Sequence, residues 1–195
     1  VGFTIAAPIY RNGNLIGVAA ADITLDVLSE YLSKRKISPG SLSYVLDHQG
    51  RVTMVDVGDK PATSREAVAR GTIRMNRAAL AAIREGAVAK GDPLQVARVA
   101  GIMAAKATST LIPLCHPLPL EDCQIEIETN AKHEVTIHCR VQTEAKTGVE
   151  MEALTGATVA ALTLYDMGKA VSHGIVIREI RLLEKTGGKR DYRAQ

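Results

Sequence analysis

The chain has 195 residues, a net charge of +3, and 46% hydrophobic against 23% charged residues, the balance of one globular domain or one domain with a small appendage. Aromatics make up only 3%, with no Trp and one Phe, so the core must come from Ala, Val, Ile, Leu and Met, and this scarcity argues against a base-stacking platform for single-stranded nucleic acid. There is no dense Lys/Arg tract and no apolar run near the roughly 20 residues of a membrane span, and the three cysteines lack the spacing of a disulfide framework or a structural zinc site.

The chain therefore reads as a protein with no nucleic-acid or membrane partner, with Cys115, Cys123 and Cys139 as reduced thiols. It begins at Val1 and shows no secretory signal, which reads as a processed or truncated end on a cytoplasmic protein.

In chain order, residues 3–10 and 15–23 read as strands around Arg11-Asn12-Gly13-Asn14, since Asn-Gly tolerates the positive φ of a tight hairpin. Residues 25–35 read as a helix with Thr24 as N-cap and Leu25, Leu28 and Leu32 on one face. Ser38-Pro39-Gly40 breaks it. Residues 43–47 and 51–57 are strand-like around His48-Gln49-Gly50.

An Ala-rich helix over 75–86 should end at Gly86, and a second over 93–107 should start from Asp92 with Pro93 at its first position. A Pro-rich loop covers 112–119. Residues 123–129 and 134–142 alternate apolar and polar, as in a hairpin with one buried face. The longest helical pattern runs over 148–172, where Thr147 and Glu150 have capping-box spacing. Residues 175–184 return as a strand, and 185–195 read as a mobile tail or loop. From residue 72 on this is an α+β layer, helices on one face of an antiparallel sheet.

Four constellations carry chemistry. In Pro113-Leu114-Cys115-His116-Pro117 the prolines stiffen a loop that can hold an imidazole toward a ligand; the alternative is a turn over the core with Cys115 as a small hydrophobe. Lys146-Thr147-Gly148-Val149-Glu150-Met151-Glu152 places two carboxylates at a helix N-terminus, either as cap and solvated surface or to orient a cation or a guanine-like edge. Asp166 and Lys169 share a helical face, as a surface ion pair or as a base and acid with shifted pKa values. Arg65, Lys90, Lys185 and Lys189 are dispersed cations, the last two in a Lys185-Thr186-Gly187-Gly188-Lys189 loop whose glycines admit phosphate oxygens. The GxxxxGK[ST], GxSxG, HExxH, GxGxxG and EF-hand patterns are absent.

Together and in this order, MVDV at 54–57, KGDPLQVARVAGIMAAKAT at 90–108, LIPLCHPL at 111–118, KTGVEMEALTGATVAALTLYDMGKA at 146–170 and KTGGK at 185–189 resemble the cyclic pyranopterin monophosphate synthase family of molybdenum-cofactor biosynthesis over residues 49–195. The resemblance implies a ferredoxin-like α+β fold and a hexamer built from dimers, with active sites at the dimer interface. It implies a lyase that converts 3′,8-cyclo-7,8-dihydroguanosine 5′-triphosphate to cyclic pyranopterin monophosphate and releases pyrophosphate. Asp166, Lys169 and Lys90 match catalytic positions; Leu114, Cys115, His116, Met151, Glu152, Glu150, Arg65, Lys185 and Lys189 match substrate-binding ones. No resident cofactor or protein-held metal is implied, which leaves Mg²⁺ as a companion of the triphosphate.

Residues 1–48 (FTIAAPIYRNGNLIGVAAADITLDVLSEYLSK, then ISPGSLSYVLD) instead resemble a fragment of a Cache sensor domain, a partial PAS-like strand-hairpin-helix segment. The sequence thus reads as a chimera joined near residues 43–52. A Cache-type ligand sensor and an inactive fusion are the alternatives to an enzyme.

Overall fold

The computed structural model describes residues 2–11, 14–24, 54–86, 88, 90–130 and 133–195, the first two stretches by backbone alone. The chain separates into two compact units, Val1–Thr53 and Met54–Gln195.

In the first unit, strands β1 (Gly2–Arg11) and β2 (Asn14–Thr24) pair antiparallel, from Gly2 opposite Thr24 to Arg11 opposite Asn14. That register is the hairpin expected around Asn12-Gly13. The helix expected at 25–35, the break at 38–40 and the strand and turn over 43–50 lie outside the described residues.

The second unit is a five-stranded antiparallel sheet with helices, ordered β4-β5-β3-β6-β7. Its elements in sequence are β3 (Thr63–Arg74), α1 (Arg77–Arg84), α2 (Pro93–Lys106), the short α3 (Thr108–Leu111), β4 (Asp122–Thr129), β5 (Glu134–Ala145), α4 (Glu150–Gly168), β6 (Val176–Thr186) and β7 (Tyr192–Arg193). No described helix is long and apolar enough to cross a membrane.

Local signals explain most of these boundaries. Asp92 Oδ1 accepts from the Leu94 and Gln95 amides at 2.9 and 3.2 Å, and Pro93 occupies the first turn of α2. Asn76 Oδ1 caps α1 from the Ala79 amide, and Gly86, at φ 63°, stands just past the helix end. Strand β5 alternates strictly, burying Val135, Ile137, Cys139, Val141, Thr143 and Ala145 on the helix side.

Four expectations are corrected. The central strand β3 falls where the sequence pattern assigns no element. It alternates, but its buried side is Ala67, Ala69, Gly71 and Ile73, mostly residues of low strand propensity. Residues 54–57, expected in a strand, are not one; they are held by side-chain contacts described below and have no ladder partner. Thr147 and Glu150 do not form a capping box: Val149 is the N-cap of α4, without a side-chain cap bond, and Glu150 is drawn to Lys185 instead. The expected tail turns back as β7, which pairs Lys185 with Tyr192 and Glu184 with Arg193.

Small residues let the layers approach. A Cβ on Gly156 would sit 2.6 Å from Cys139 Sγ, and one on Gly101 would sit 3.0 Å from the Gly156 carbonyl. Helix α4 thus lies close to both α2 and the sheet through Gly156, Ala157, Ala160 and Ala161, all buried. Ile73, Ile137 and Leu164 fill the space between, each contributing about 1.5–3 kcal/mol of burial. The opposite sheet face is polar and carries the pairs Arg70–Glu179 and Arg140–Glu66, both at 2.7 Å, and Arg178–Glu134 at 3.1 Å.

Candidate active site

Helix α4 organises the site, because its two ends carry different chemistry. At the N-terminal end, the start of β3, the residues before α4 and the end of β6 enclose a cleft of about 240 Å³. Arg65, Glu150, Lys185 and Lys189 line it together, as do Lys60 and Lys146. The last two are not among the positions the resemblance assigns; Lys146 stands in the KTGVEME string, and only the fold shows that it turns into the same cleft. Lys185 Nζ donates to Glu150 Oε1 at 2.8 Å, and Arg65 Nε donates to the Ala145 carbonyl at 3.3 Å.

The Lys185–Lys189 loop is a tight turn. Gly187 has φ 80°, and a Cβ there would lie 1.8 Å from the Ser64 carbonyl oxygen, so only glycine fits. Thr63 Oγ1 donates to the Gly187 carbonyl at 3.0 Å, and the Gly187 amide donates to Asp191 Oδ1 at 3.1 Å. The loop is thereby fixed beside Arg65.

In the first turn of α4, Glu152 is buried, only 4% exposed. Burial pushes its carboxyl above the ordinary range, with the Glu150 charge adding to the rise and its own backbone amide opposing it. A solvated surface role for Glu152 is thereby excluded, as is a capping role for Glu150. Cys115 is raised first by burial and then by the Glu152 charge, so the Cys115–His116 loop lies next to this carboxylate. His116 Nε2 is 2.9 Å from the Val55 carbonyl oxygen. Leu114 and Met151 are both exposed beside these residues in the chain.

At the C-terminal end, Asp166 receives two ammonium groups: Lys90 Nζ at 2.6 Å on Oδ2 and Lys169 Nζ at 2.8 Å on Oδ1. Lys169 and then Lys90 hold its carboxyl down to about 2, and Asp166 in turn raises Lys169. This corrects the idea of an acid and base poised near neutrality, since the contacts favour the charged form of each. Lys90, Asp166, Val96, Leu162, Thr163 and Met167 share a shallow apolar-sided depression.

Glu150 and Asp166 are sixteen residues apart on one helix, about 24 Å along its axis. Within one chain, then, the cationic cleft with the neighbouring Glu152–Cys115–His116 group lies at one end, and the Lys90–Asp166–Lys169 cluster at the other. Among the described residues no group of three His, Cys, Asp or Glu side chains is placed to hold a metal ion.

Residues 54–188 match the MoaC family. The chain is 56% identical over 145 residues to a protein of Thermomicrobium roseum named cyclic pyranopterin monophosphate synthase, covering 74% of this chain and 87% of that protein. It is also 56% identical over 144 residues to a protein of the same name from Heliobacterium modesticaldum, covering 73% of this chain and 91% of that one. The match begins where the second compact unit begins, at Met54, and with well over half of its length matched the chain belongs to the MoaC family.

Proposed function

We propose that this chain is a cyclic pyranopterin monophosphate synthase, a lyase of molybdenum-cofactor biosynthesis. It takes 3′,8-cyclo-7,8-dihydroguanosine 5′-triphosphate, rearranges it to the cyclic monophosphate and releases pyrophosphate. The observation that carries this reading is the 56% identity to proteins of that name, in a chain whose resemblance-assigned cations Arg65, Lys185 and Lys189 line one cleft.

In this reading the five cations Lys60, Arg65, Lys146, Lys185 and Lys189 receive the triphosphate, with or without Mg²⁺, and stabilise the charge that develops as pyrophosphate leaves. Glu152, a carboxylate in a dry setting, accepts hydrogen bonds from the N–H edge of the guanine-like ring. Asp166, held near 2, is a weak base; its part is to orient Lys90 and Lys169, whose ammonium protons are available to oxygens that gain charge during ring opening and closure.

A second copy of the chain would bring the two ends of α4 into one site. The separation of about 24 Å favours this, and so does an exposed apolar stripe on α2, where Val96, Val99 and Met103 repeat at helical spacing beside Lys90 and Leu162. A dimer-based hexamer is the assembly in this reading. Up to β6, the chain order of the second unit, strand–helices–strand–strand–helix–strand, is that of a ferredoxin-like layer. The cytoplasm is the compartment.

The test is conversion of the cyclo-dihydroguanosine triphosphate by the parent and by Lys169→Ala, read as pterin product and pyrophosphate. Product from the parent and none from the variant is expected. No product from the parent, in an assembly larger than a monomer, overturns the reading.

A further inference from the structure

One short segment lies between the two groups at the N-terminal end of α4, and of its residues only Lys60 has a role in the function proposed above. Met54–Lys60 is neither helix nor strand, and most of it is exposed, yet it is tied to the domain at two carbonyls. The Val55 carbonyl oxygen is 2.9 Å from His116 Nε2, and the Gly58 carbonyl accepts from Lys146 Nζ at 2.6 Å. Its own fold is a turn: Asp56 Oδ1 accepts from the Gly58 amide at 2.8 Å, and the Lys60 amide donates to the Val57 carbonyl at 3.1 Å. A Cβ on Gly58 would lie 3.2 Å from Asp56 Oδ1, so the turn is closed against the smallest residue. The segment ends at Lys60, which lines the cationic cleft.

A carbonyl oxygen can only accept, so the ring nitrogen it meets carries the proton. His116 is thereby held with a proton on Nε2, and its Nδ1 edge is turned away from Val55. The same segment holds Lys146 and delivers Lys60 on its far side.

We infer that Asp56 is a positioning residue: by closing the Asp56–Gly58 turn it sets the Val55 and Gly58 carbonyls, which fix the tautomer and orientation of His116 and the place of Lys146. The inference rests on the proposed synthase reading for its link to turnover, but not for its structural content. What Asp56 supplies is an acceptor oxygen at one place and not a charge, so asparagine, whose amide oxygen stands there too, should substitute for it. A misplacement of about 1 Å in a reacting group is enough to lower a rate up to about a hundredfold.

The experiment compares the full chain with Asp56→Ala and Asp56→Asn by ¹⁵N NMR of the His116 ring at a pH where the ring is neutral, alongside kcat for pterin formation. In the parent the two ring nitrogens should show the separated shifts of one Nε2–H tautomer. Asp56→Ala should bring them toward the average of two tautomers and lower kcat about ten- to a hundredfold, with thermal unfolding unchanged because the segment is exposed. Asp56→Asn should return both readouts close to the parent. Ring shifts in Asp56→Ala identical to the parent would overturn the inference. So would an Asp56→Asn as impaired as Asp56→Ala, since the charge and not the turn would then matter. A parent without synthase activity would count against the proposed function alone, and the ring shifts would still decide the role of Asp56.

Discussion

Lys90 Nζ lies 2.6 Å from Asp166 Oδ2, a contact that joins residues 76 apart in sequence and makes one cluster of a loop lysine and the Asp166–Lys169 helical pair. Two ammonium groups on one carboxylate leave a net positive charge at the C-terminal end of α4, where the helix dipole favours cations.

The first prediction concerns that carboxylate. With Lys169 and Lys90 in place, Asp166 should stay ionised down to about pH 2 in a ¹³C titration of its side chain. In a Lys90→Met/Lys169→Met chain it should titrate in the ordinary range near about pH 4. Because its folded value is depressed, what this ionisation adds to stability is present above about pH 4 and fades as pH falls through about 2. An unchanged titration in the double variant would show that the two lysines are not its cause.

Glu152 runs the other way. Its folded value is raised by burial, so its contribution is fully present below the ordinary carboxylate range and is lost as pH rises through the elevated value. Glu152→Gln should therefore raise Tm at about pH 7–8 while leaving it nearly unchanged at about pH 4, and should abolish pterin formation. A Tm gain of equal size at both pH values would mean that packing, and not ionisation, is responsible.

Gly187 tests the fixed loop. At φ 80°, with Ser64 O 1.8 Å from where a Cβ would be, Gly187→Ala must displace either the loop or the start of β3. Strain of about 1–3 kcal/mol is expected. For a chain of this size that lowers Tm by roughly 2–4 °C per kcal/mol. Pyrophosphate affinity, measured by calorimetry, should fall in the same variant because Lys185 and Lys189 flank the turn. A variant with the parent's Tm and affinity would refute the close approach.

Gly156 tests the contact between helix and sheet. Gly156→Ala puts a methyl 2.6 Å from Cys139 Sγ in a packed core and should cost about 1–3 kcal/mol in urea unfolding. Combining it with Cys139→Ala should recover part of that loss, a coupling of at least about 0.5 kcal/mol in a double-mutant cycle. Strict additivity of the two changes would show that the two residues do not press on each other.

Elements with a local chemical signal are legible in the amino-acid sequence. Asp92-Pro93 starts a helix and Gly86 follows one because capping and positive φ depend on neighbours in sequence. The alternation of β5 is legible because one face of it is buried throughout. Strand β3 is not legible, because its buried side is built from the small residues Ala67, Ala69 and Gly71, and a Cβ on Gly71 would lie 3.1 Å from Ile180 Cδ1. The capping box suggested by Thr147 and Glu150 does not form because Lys185, a partner 35 residues away, takes the glutamate.

The same division runs through the site. The sequence alone determined the family, through strings such as LCHP and KTGVEMEALT, and the resemblance named candidate residues, most of them inside short contiguous motifs. Only the tertiary structure decided their grouping: Arg65, Glu150, Lys185 and Lys189 in one cleft with Lys60 and Lys146, and Asp166 with its lysines about 24 Å away at the other end of α4. Grouping depends on which strands pair and where a helix ends, and those are properties of packing between distant residues that no local motif encodes.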